Sequence, residues 1–193
     1  VWGDDFSNDM RNSKYNVVRD AYYDLPTSKY YGKSIIALET KSKLLEEQSW
    51  RWYPWPTKIT TPGEHPEALY ADPALKTLKS TAGATYLDQY MLRLAETYLL
   101  RAEAFLMKGD KEKAANDINE VRNRAHTSEV VASEVTIDYI LDERARELVY
   151  EEFRRITLGR LGKYVERVRK YNTLNGKFHT DSEQAKLHKS KLR

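Results

Sequence analysis

The chain has 193 residues, 40% of them apolar, 32% charged and 11% aromatic, which excludes a disordered tail and is enough for one domain burying roughly 70% of its unfolded surface. No window approaches the about 20 consecutive apolar residues of a membrane-spanning helix, and the absence of cysteine removes disulfide frameworks, thiolate nucleophiles and zinc ribbons. The net charge of +3 is uneven: residues 1–86 carry 11 basic and 11 acidic side chains, residues 87–159 carry 11 and 15, and residues 160–193 carry 10 and 3.

The chain opens on Val1-Trp2-Gly3-Asp4-Asp5, which has neither the basic start nor the apolar run of a signal peptide. It therefore reads as a piece of a longer chain, with any targeting segment upstream. Residues 1–87 hold all four Trp, all six Pro and more than half of the Tyr. Turn signals cluster at Leu25-Pro26-Thr27-Ser28, Tyr53-Pro54-Trp55-Pro56, Thr61-Pro62-Gly63 and Asp72-Pro73. Proline at this density breaks helices and favours turns or extended backbone, so this region is predicted to consist of loops and short strands. A short helix is expected within Lys33–Gln48. Residues 49–60 should be extended, confined by Pro54 and Pro56 to an edge or an irregular ribbon.

From Asp88 the apolar period becomes helical. Met91, Leu94, Ala95, Tyr98, Ala102, Phe105 and Leu106 define one face, and Leu92, Leu99 and Leu106 a second. A helix with two apolar faces is expected to pack neighbours on both. It stops at Gly109-Asp110, a left-handed cap followed by an N-cap. The next helix should run from Lys111 to Arg124 with Ala114, Ala115, Ile118 and Val121 inward and Lys111, Glu112, Lys113, Asp117 and Glu120 outward. Thr136 is the N-cap expected for a third helix, Ile137 to about Ile156, whose apolar set is Ile137, Ile140, Leu141, Ala145, Leu148, Val149 and Phe153. Gly159 and Gly162 punctuate its end, and a basic fourth helix spans Lys163 to about Tyr171. Ala102, Phe105, Gly109, Ala114 and Ile118 also fit the register of a tetratricopeptide unit, which needs a small residue at the helix crossing, an aromatic one turn later and a glycine turn. The predicted fold class is mostly α, with tetratricopeptide-like helix pairs beside a loop-rich, aromatic-rich region of short strands and turns. The expected domains are residues 1–87 (loop-rich), 88–172 (helical) and 173–193 (a basic polar tail).

Catalytic constellations fall short one by one. Gly32-Lys33-Ser34 lacks the glycine five residues earlier that a phosphate-binding loop requires, since Thr27 stands there. The four histidines, at positions 65, 126, 179 and 188, make no pair on one helix face, so no metal site is expected. Asp142, Glu143, Glu147, Glu151 and Glu152 could suggest a glycosidase. Arg144, Arg146, Arg154 and Arg155 alternate with them, however, at spacings that favour ion pairs such as Glu147 with Arg144 and Glu151 with Arg154 or Arg155. Paired carboxylates are poor general acids. Gly159-Arg160-Leu161-Gly162 matches a backbone-clamping loop of RNA-binding domains, but no strands flank it, so it reads as a helix break with no nucleic-acid partner. The rings of Trp50, Trp52, Tyr53 and Trp55 lie within six residues. They either fill a core beneath the loops or form flat platforms that stack on sugar faces, with indole N–H and phenol groups as polar handles.

The ordered motifs Arg93-Leu94-Ala95-Glu96, Ala102-Glu103-Ala104, Gly109-Asp110, Asn119-Glu120-Val121-Arg122-Asn123-Arg124-Ala125, Glu143-Arg144 with Glu147-Leu148, and Arg160-Leu161-Gly162-Lys163 resemble the SusD/RagB-type nutrient-binding lipoproteins of the Bacteroidetes outer membrane. Tyr30-Tyr31-Gly32-Lys33 and Trp55-Pro56-Thr57-Lys58 look like the family's loop-rich middle region. The chain departs at His126 and Glu152, where the family usually has Gly, and at Thr157, where Asp is frequent. The resemblance implies a cell-surface outer-membrane lipoprotein that is not an enzyme and needs no cofactor. It further implies capture of oligosaccharides, or in some members peptides, for a SusC-like TonB-dependent transporter. Its ligand residues follow no fixed motif, so Trp50, Trp52, Tyr53 and Trp55 remain candidates from the platform argument alone. Arg93, Glu96, Glu103, Arg144, Glu147 and Arg154 match the family frame and are expected in helix-to-helix ion pairs. A tetratricopeptide-like protein adaptor is the alternative reading.

Overall fold

A computed structural model of the chain describes residues 8–20, 22–23, 25–34, 54–58, 65–75, 77–82 and 90–171. The described part is mostly helical, and its short strands all lie before residue 80. The chain divides into two compact units, Val1–Glu151 and Glu152–Arg193.

In the first unit, strand β1 (Val17–Val18) pairs antiparallel with β2 (Trp55–Pro56), Val17 opposite Pro56 and Val18 opposite Trp55. This is the two-residue ribbon that proline permits, because Pro56 has no N–H to extend a ladder. A turn carrying Gly32 at φ +73° lies within the span closed by the single bridge Tyr22–Ser34. Lys33 and Ser34 are thus not helical, and the rest of the expected Lys33–Gln48 helix lies outside the described residues. Ser34 Oγ donates to Asp20 Oδ2 at 2.6 Å, which gives this hydroxyl a structural role. Strand β3 (Tyr70–Asp72) pairs with β4 (Thr77–Leu78). The Asp72 carboxylate accepts the Ala74 and Leu75 N–H groups at 2.9 and 3.2 Å and closes the turn between the strands.

Helix α1 (Leu94–Met107) starts six residues later than predicted. Arg93 is extended, with φ −125° and ψ 149°, and its guanidinium reaches Glu147 and Glu151 instead of joining the helix. Met91 and Leu92 are consequently exposed rather than part of an apolar face. Leu99 and Ala102 are fully buried, with Ala95, Tyr98, Phe105 and Leu106 packed around the same core. Of the second stripe, Leu99 is buried and Leu106 packs against the same core, whereas Leu92 is exposed; Leu94 of the first face is exposed too, as are Leu100 and Met107. Gly109 takes φ +81°. Asp110 then caps α2 (Lys111–Arg124) by accepting the Lys113 N–H at 3.1 Å.

Helix α2 buries Ala114, Ala115, Ile118 and Val121 as predicted. Asp117 does not face outward. It is buried because Arg101 of α1 grips both its oxygens, at 2.8 and 2.6 Å. After α2, Asn119 pins the connecting loop by donating to the Val130 carbonyl at 3.0 Å and accepting the Val130 N–H at 2.8 Å. Val130 and Val135 thereby enter the core. His126 holds φ +56°, a left-handed conformation costing an L-residue about 1–2 kcal/mol. The exposed imidazole offers little in return, so His126→Gly is expected to raise the unfolding free energy by about 1 kcal/mol, read from urea denaturation. A destabilised variant would refute this account of the turn.

Thr136 caps α3 (Ile137–Glu147) by accepting the Tyr139 N–H at 3.1 Å. The helix ends nine residues before the predicted Ile156. Leu148 continues into the core, but Tyr150 takes φ +64° and no α-helix passes through that conformation. In the second unit the chain resumes as α4 (Arg154–Arg160) and α5 (Tyr164–Tyr171). Phe153, expected inside, is 80% exposed. Gly159 lies within α4, and Gly162 at φ +67° separates the two helices, so the Gly159–Gly162 motif is a helix break, as read. Residues 173–193 lie outside the described residues.

Candidate functional site

Four residues apart on α3, Glu143 and Glu147 share one face, and both carboxylates are buried. Buried carboxylates stay charged only when several donors replace their lost water. The predicted pairs along α3 do not supply them. Glu143 accepts from Arg11 Nη1 at 2.8 Å, from Arg122 Nη1 at 2.9 Å and from Arg146 Nη2 at 2.7 Å. Glu147 accepts from Arg11 at 3.0 Å, from Arg93 at 2.8 Å and from Arg124. Glu151 takes Arg93 Nε at 2.7 Å and Lys58 Nζ at 2.8 Å. Among these contacts to Glu143, Glu147 and Glu151, Arg146–Glu143 is the in-helix pair. Glu147 bonds residues 11, 93 and 124 rather than Arg144, which reaches Glu96 of α1 at 3.2 Å. Arg144 and Glu96 form a helix-to-helix pair as expected, whereas Arg93 meets Glu147 from the extended residue that precedes α1. Arg154 instead bonds Glu152, two residues away, at 3.2 Å. Local sequence spacing misassigned these partners because burial gathered guanidinium groups from remote segments.

Arg11 is the common element. Its fork takes both oxygens of the buried Asp9, at 2.9 and 2.7 Å, and spans Glu143 and Glu147 with Nη1. Burial opposes its charge, yet Asp9 and Glu143 hold its pKa well above the ordinary value. Burial likewise works against the Glu143 carboxylate, but Arg146, Arg11 and Arg122 outweigh it and depress its pKa. At Lys58 burial dominates, with Arg93 adding to it, and the pKa is lowered despite Glu151.

Between the β1–β2 ribbon and the end of α3 this cluster walls a cavity of about 290 Å³, lined by Arg11, Asn16, Val17, Pro56, Lys58, Tyr90, Arg93, Arg124, Ala145, Arg146, Glu147, Val149 and Glu151. The Tyr90 ring lies 5.7 Å from the Arg93 guanidinium carbon. No group of three or more His, Asp or Glu side chains among the described residues is placed to hold a metal. No helix of the described residues is long and apolar enough to cross a membrane.

Of the four sequence candidates, Trp50, Trp52 and Tyr53 lie outside the described residues. Trp55 sits on β2 and is 52% exposed, while the next residue, Pro56, lines the cavity. Tyr15, Tyr22 and Tyr31 are also exposed rings of this loop-rich region. Arg11 and Tyr90 were not singled out from the sequence, and Lys58 and Arg124 stood there within family-like motifs and not as site residues. Their convergence depends on contacts across up to 136 residues, which no local pattern encodes.

The family model of the SusD family matches residues 5–191. The chain belongs to the SusD family. An 88-residue stretch is 43% identical to the starch-binding protein SusD of Bacteroides thetaiotaomicron, covering 45% of this chain and 15% of that protein. The chain thus matches only a small part of that SusD protein's length. No solved structure matches it. Membership of the SusD family fits the helical order observed, including Arg93 at the entry to α1, the Gly109-Asp110 turn and the Glu143–Glu147 face of α3.

Proposed function

We propose that this SusD-family chain takes part in non-catalytic capture of glycan nutrients at the bacterial cell surface, as part of an outer-membrane lipoprotein that delivers them to a SusC-like TonB-dependent transporter. The observation that carries the reading is the 43% identity to a protein named as starch-binding, within a family match over nearly the whole chain. The site chemistry supports it. Glu143, Glu147 and Glu151 are each held by two or more cations, so these acids are occupied as structural anions and suit neither proton donation nor attack.

Recognition is assigned to rings of the loop-rich region: Trp55 together with Trp50, Trp52 and Tyr53. An indole face covers the C–H face of a sugar while its N–H serves a hydroxyl, and an aromatic contact of this kind contributes about 0.5–1.5 kcal/mol. Titration of the chain with starch oligosaccharides and a panel of other glycans, followed by Trp fluorescence, should give saturable binding. Trp55→Ala should weaken it severalfold, in line with that energy. Absence of binding to every glycan, or an unchanged affinity in the variant, would sink the assignment. Peptide capture or a protein adaptor is the second reading, favoured by the exposed Leu94, Leu100 and Met107 on α1. Saturable binding of peptides but of no glycan would establish it instead.

A further inference from the structure

The β1–β2 ribbon that carries Trp55 has little to hold it by itself. Two residues pair on each strand, Val17 opposite Pro56 and Val18 opposite Trp55. Pro56 brings no N–H to the ladder, and an isolated pair of strands this short is marginal in water. Pro56 lines the cavity while Trp55, its neighbour on the strand, is exposed, as alternation along a strand requires. The exposed ring is therefore only as well placed as the ribbon beneath it.

Each strand is tied to α3 by a cation. Upstream of β1, Arg11 bonds Glu143 and Glu147 at 2.8 and 3.0 Å, and Asn16 donates to the Met10 carbonyl at 2.7 Å. Directly after β2, Thr57 clips onto the segment that leads into β1: its N–H donates to the Asn16 carbonyl at 3.0 Å and its hydroxyl to the Tyr15 carbonyl at 2.9 Å. Lys58 then leaves the ribbon for the helix. Its ammonium donates to the Glu147 carbonyl at 2.5 Å and meets Glu151 Oε1 at 2.8 Å. That carbonyl belongs to the last residue of α3, where backbone acceptors have no partner within the helix and the helix dipole favours a cation. Arg93 reaches the same carbonyl at 3.1 Å and the other Glu151 oxygen at 2.7 Å, which keeps both acceptors in place for Lys58. The Lys58 side chain is 32% exposed, so its contacts are screened less than those of a surface pair. Three residues separate it from Trp55, at most about 10 Å of chain.

We propose that Lys58 is a positioning residue for ligand capture: by fastening the end of β2 to the end of α3, it fixes the Trp55 ring for stacking on a sugar. A ring held in place before binding spares the ligand the cost of ordering it, which otherwise subtracts from affinity. The proposal rests on the glycan-capture reading and its use of Trp55, and adds what sets the position of that ring.

Titration of the full 193-residue chain and its variants with maltoheptaose, xylohexaose and laminarihexaose, beside hydrogen exchange of the ligand-free chain, tests it. Lys58→Met keeps the stem and leaves Glu151 with Arg93, so the helices should stay folded, as circular dichroism would verify. Exchange at the Thr57 amide should speed up about tenfold or more, the effect of losing a charged hydrogen bond nearby, while the α2 amides exchange as before. Glycan affinity should fall about two- to tenfold, and no further than in Trp55→Ala. With Trp55 already replaced by Ala, Lys58→Met should weaken binding no more. Lys58→Arg should restore both slow exchange and affinity, because a guanidinium also offers donors to the carbonyl and the carboxylate. Unchanged exchange in Lys58→Met would overturn the proposal whatever the chain binds. Full affinity in Lys58→Met beside a loss in Trp55→Ala would overturn it and leave glycan capture standing, as would an equal loss from Lys58→Met with and without the Trp55 ring. A wild-type chain that binds none of the glycans would overturn the capture reading and the role of Lys58 in it together.

Discussion

Glu143→Gln is expected to lower the unfolding free energy by about 3–5 kcal/mol, the cost of breaking a buried ion pair from one side. Three guanidinium groups, from Arg11, Arg122 and Arg146, converge on this carboxylate. Gln keeps the shape and one acceptor but leaves those cations without their countercharge. Glu166→Gln breaks an exposed pair with Lys163 and should change stability by less than about 1 kcal/mol. Urea denaturation of both variants provides the comparison. The pH dependence adds a second readout. The folded-state pKa of Glu143 is depressed below its ordinary value of 4.5. Its contribution is therefore complete above that value and is lost as pH falls through the folded-state pKa. Wild-type stability should drop on acidification below pH 4.5, and the variant should lose part of that slope. Equal acid sensitivity in the two proteins would mean that Glu143 is not held as described.

Ile118→Ala should cost about 2–5 kcal/mol, because Ile118 is wholly buried where α1 and α2 meet and the neighbouring Ala102 and Ala114 cannot fill the space. Met107→Ala, on the exposed side of α1, should stay within about 0.5 kcal/mol. The contrast separates the covered face of α1 from the uncovered one. Comparable losses at both positions would show that Met107 packs against something in the folded chain.

Sequence reading succeeded where the controlling interactions are local. The limits of α2 were legible because Gly109 and Asp110 mark its start and the Ala114, Ala115, Ile118 and Val121 spacing has one clear period. The Thr136 cap was legible for the same reason, a hydroxyl three residues before an N–H that needs an acceptor. The end of α3 was not. Leu148, Val149 and Phe153 continue the helical period, and nothing in a tyrosine announces that residue 150 takes a left-handed conformation. Asp117 was misplaced because its burial depends on Arg101 from the facing helix. The cavity was hardest to foresee. Its acids were visible as an alternating charge pattern on α3, but their true partners come from residues 11, 58, 93, 122 and 124, and spacing along one helix cannot reveal an arginine more than a hundred positions upstream. The aromatic cluster was obvious in the sequence, and among its four members the described residues include Trp55 alone.

The tie from Arg11 to α3 also constrains the order in which the molecule can assemble. Arg11 meets Glu143 and Glu147 across 132 and 136 positions, and the Met10 N–H donates to the Ala125 carbonyl at 3.0 Å. Closing so long a stretch of flexible polymer costs roughly 4 kcal/mol from the logarithmic length dependence alone, whereas α1, α2 and α3 find one another through short connections. The leading segment is therefore expected to dock late, onto a helical body that already carries two acids awaiting their third cation. Until Arg11 arrives, that body is an unfinished electrostatic object, open on the side where the cavity will form.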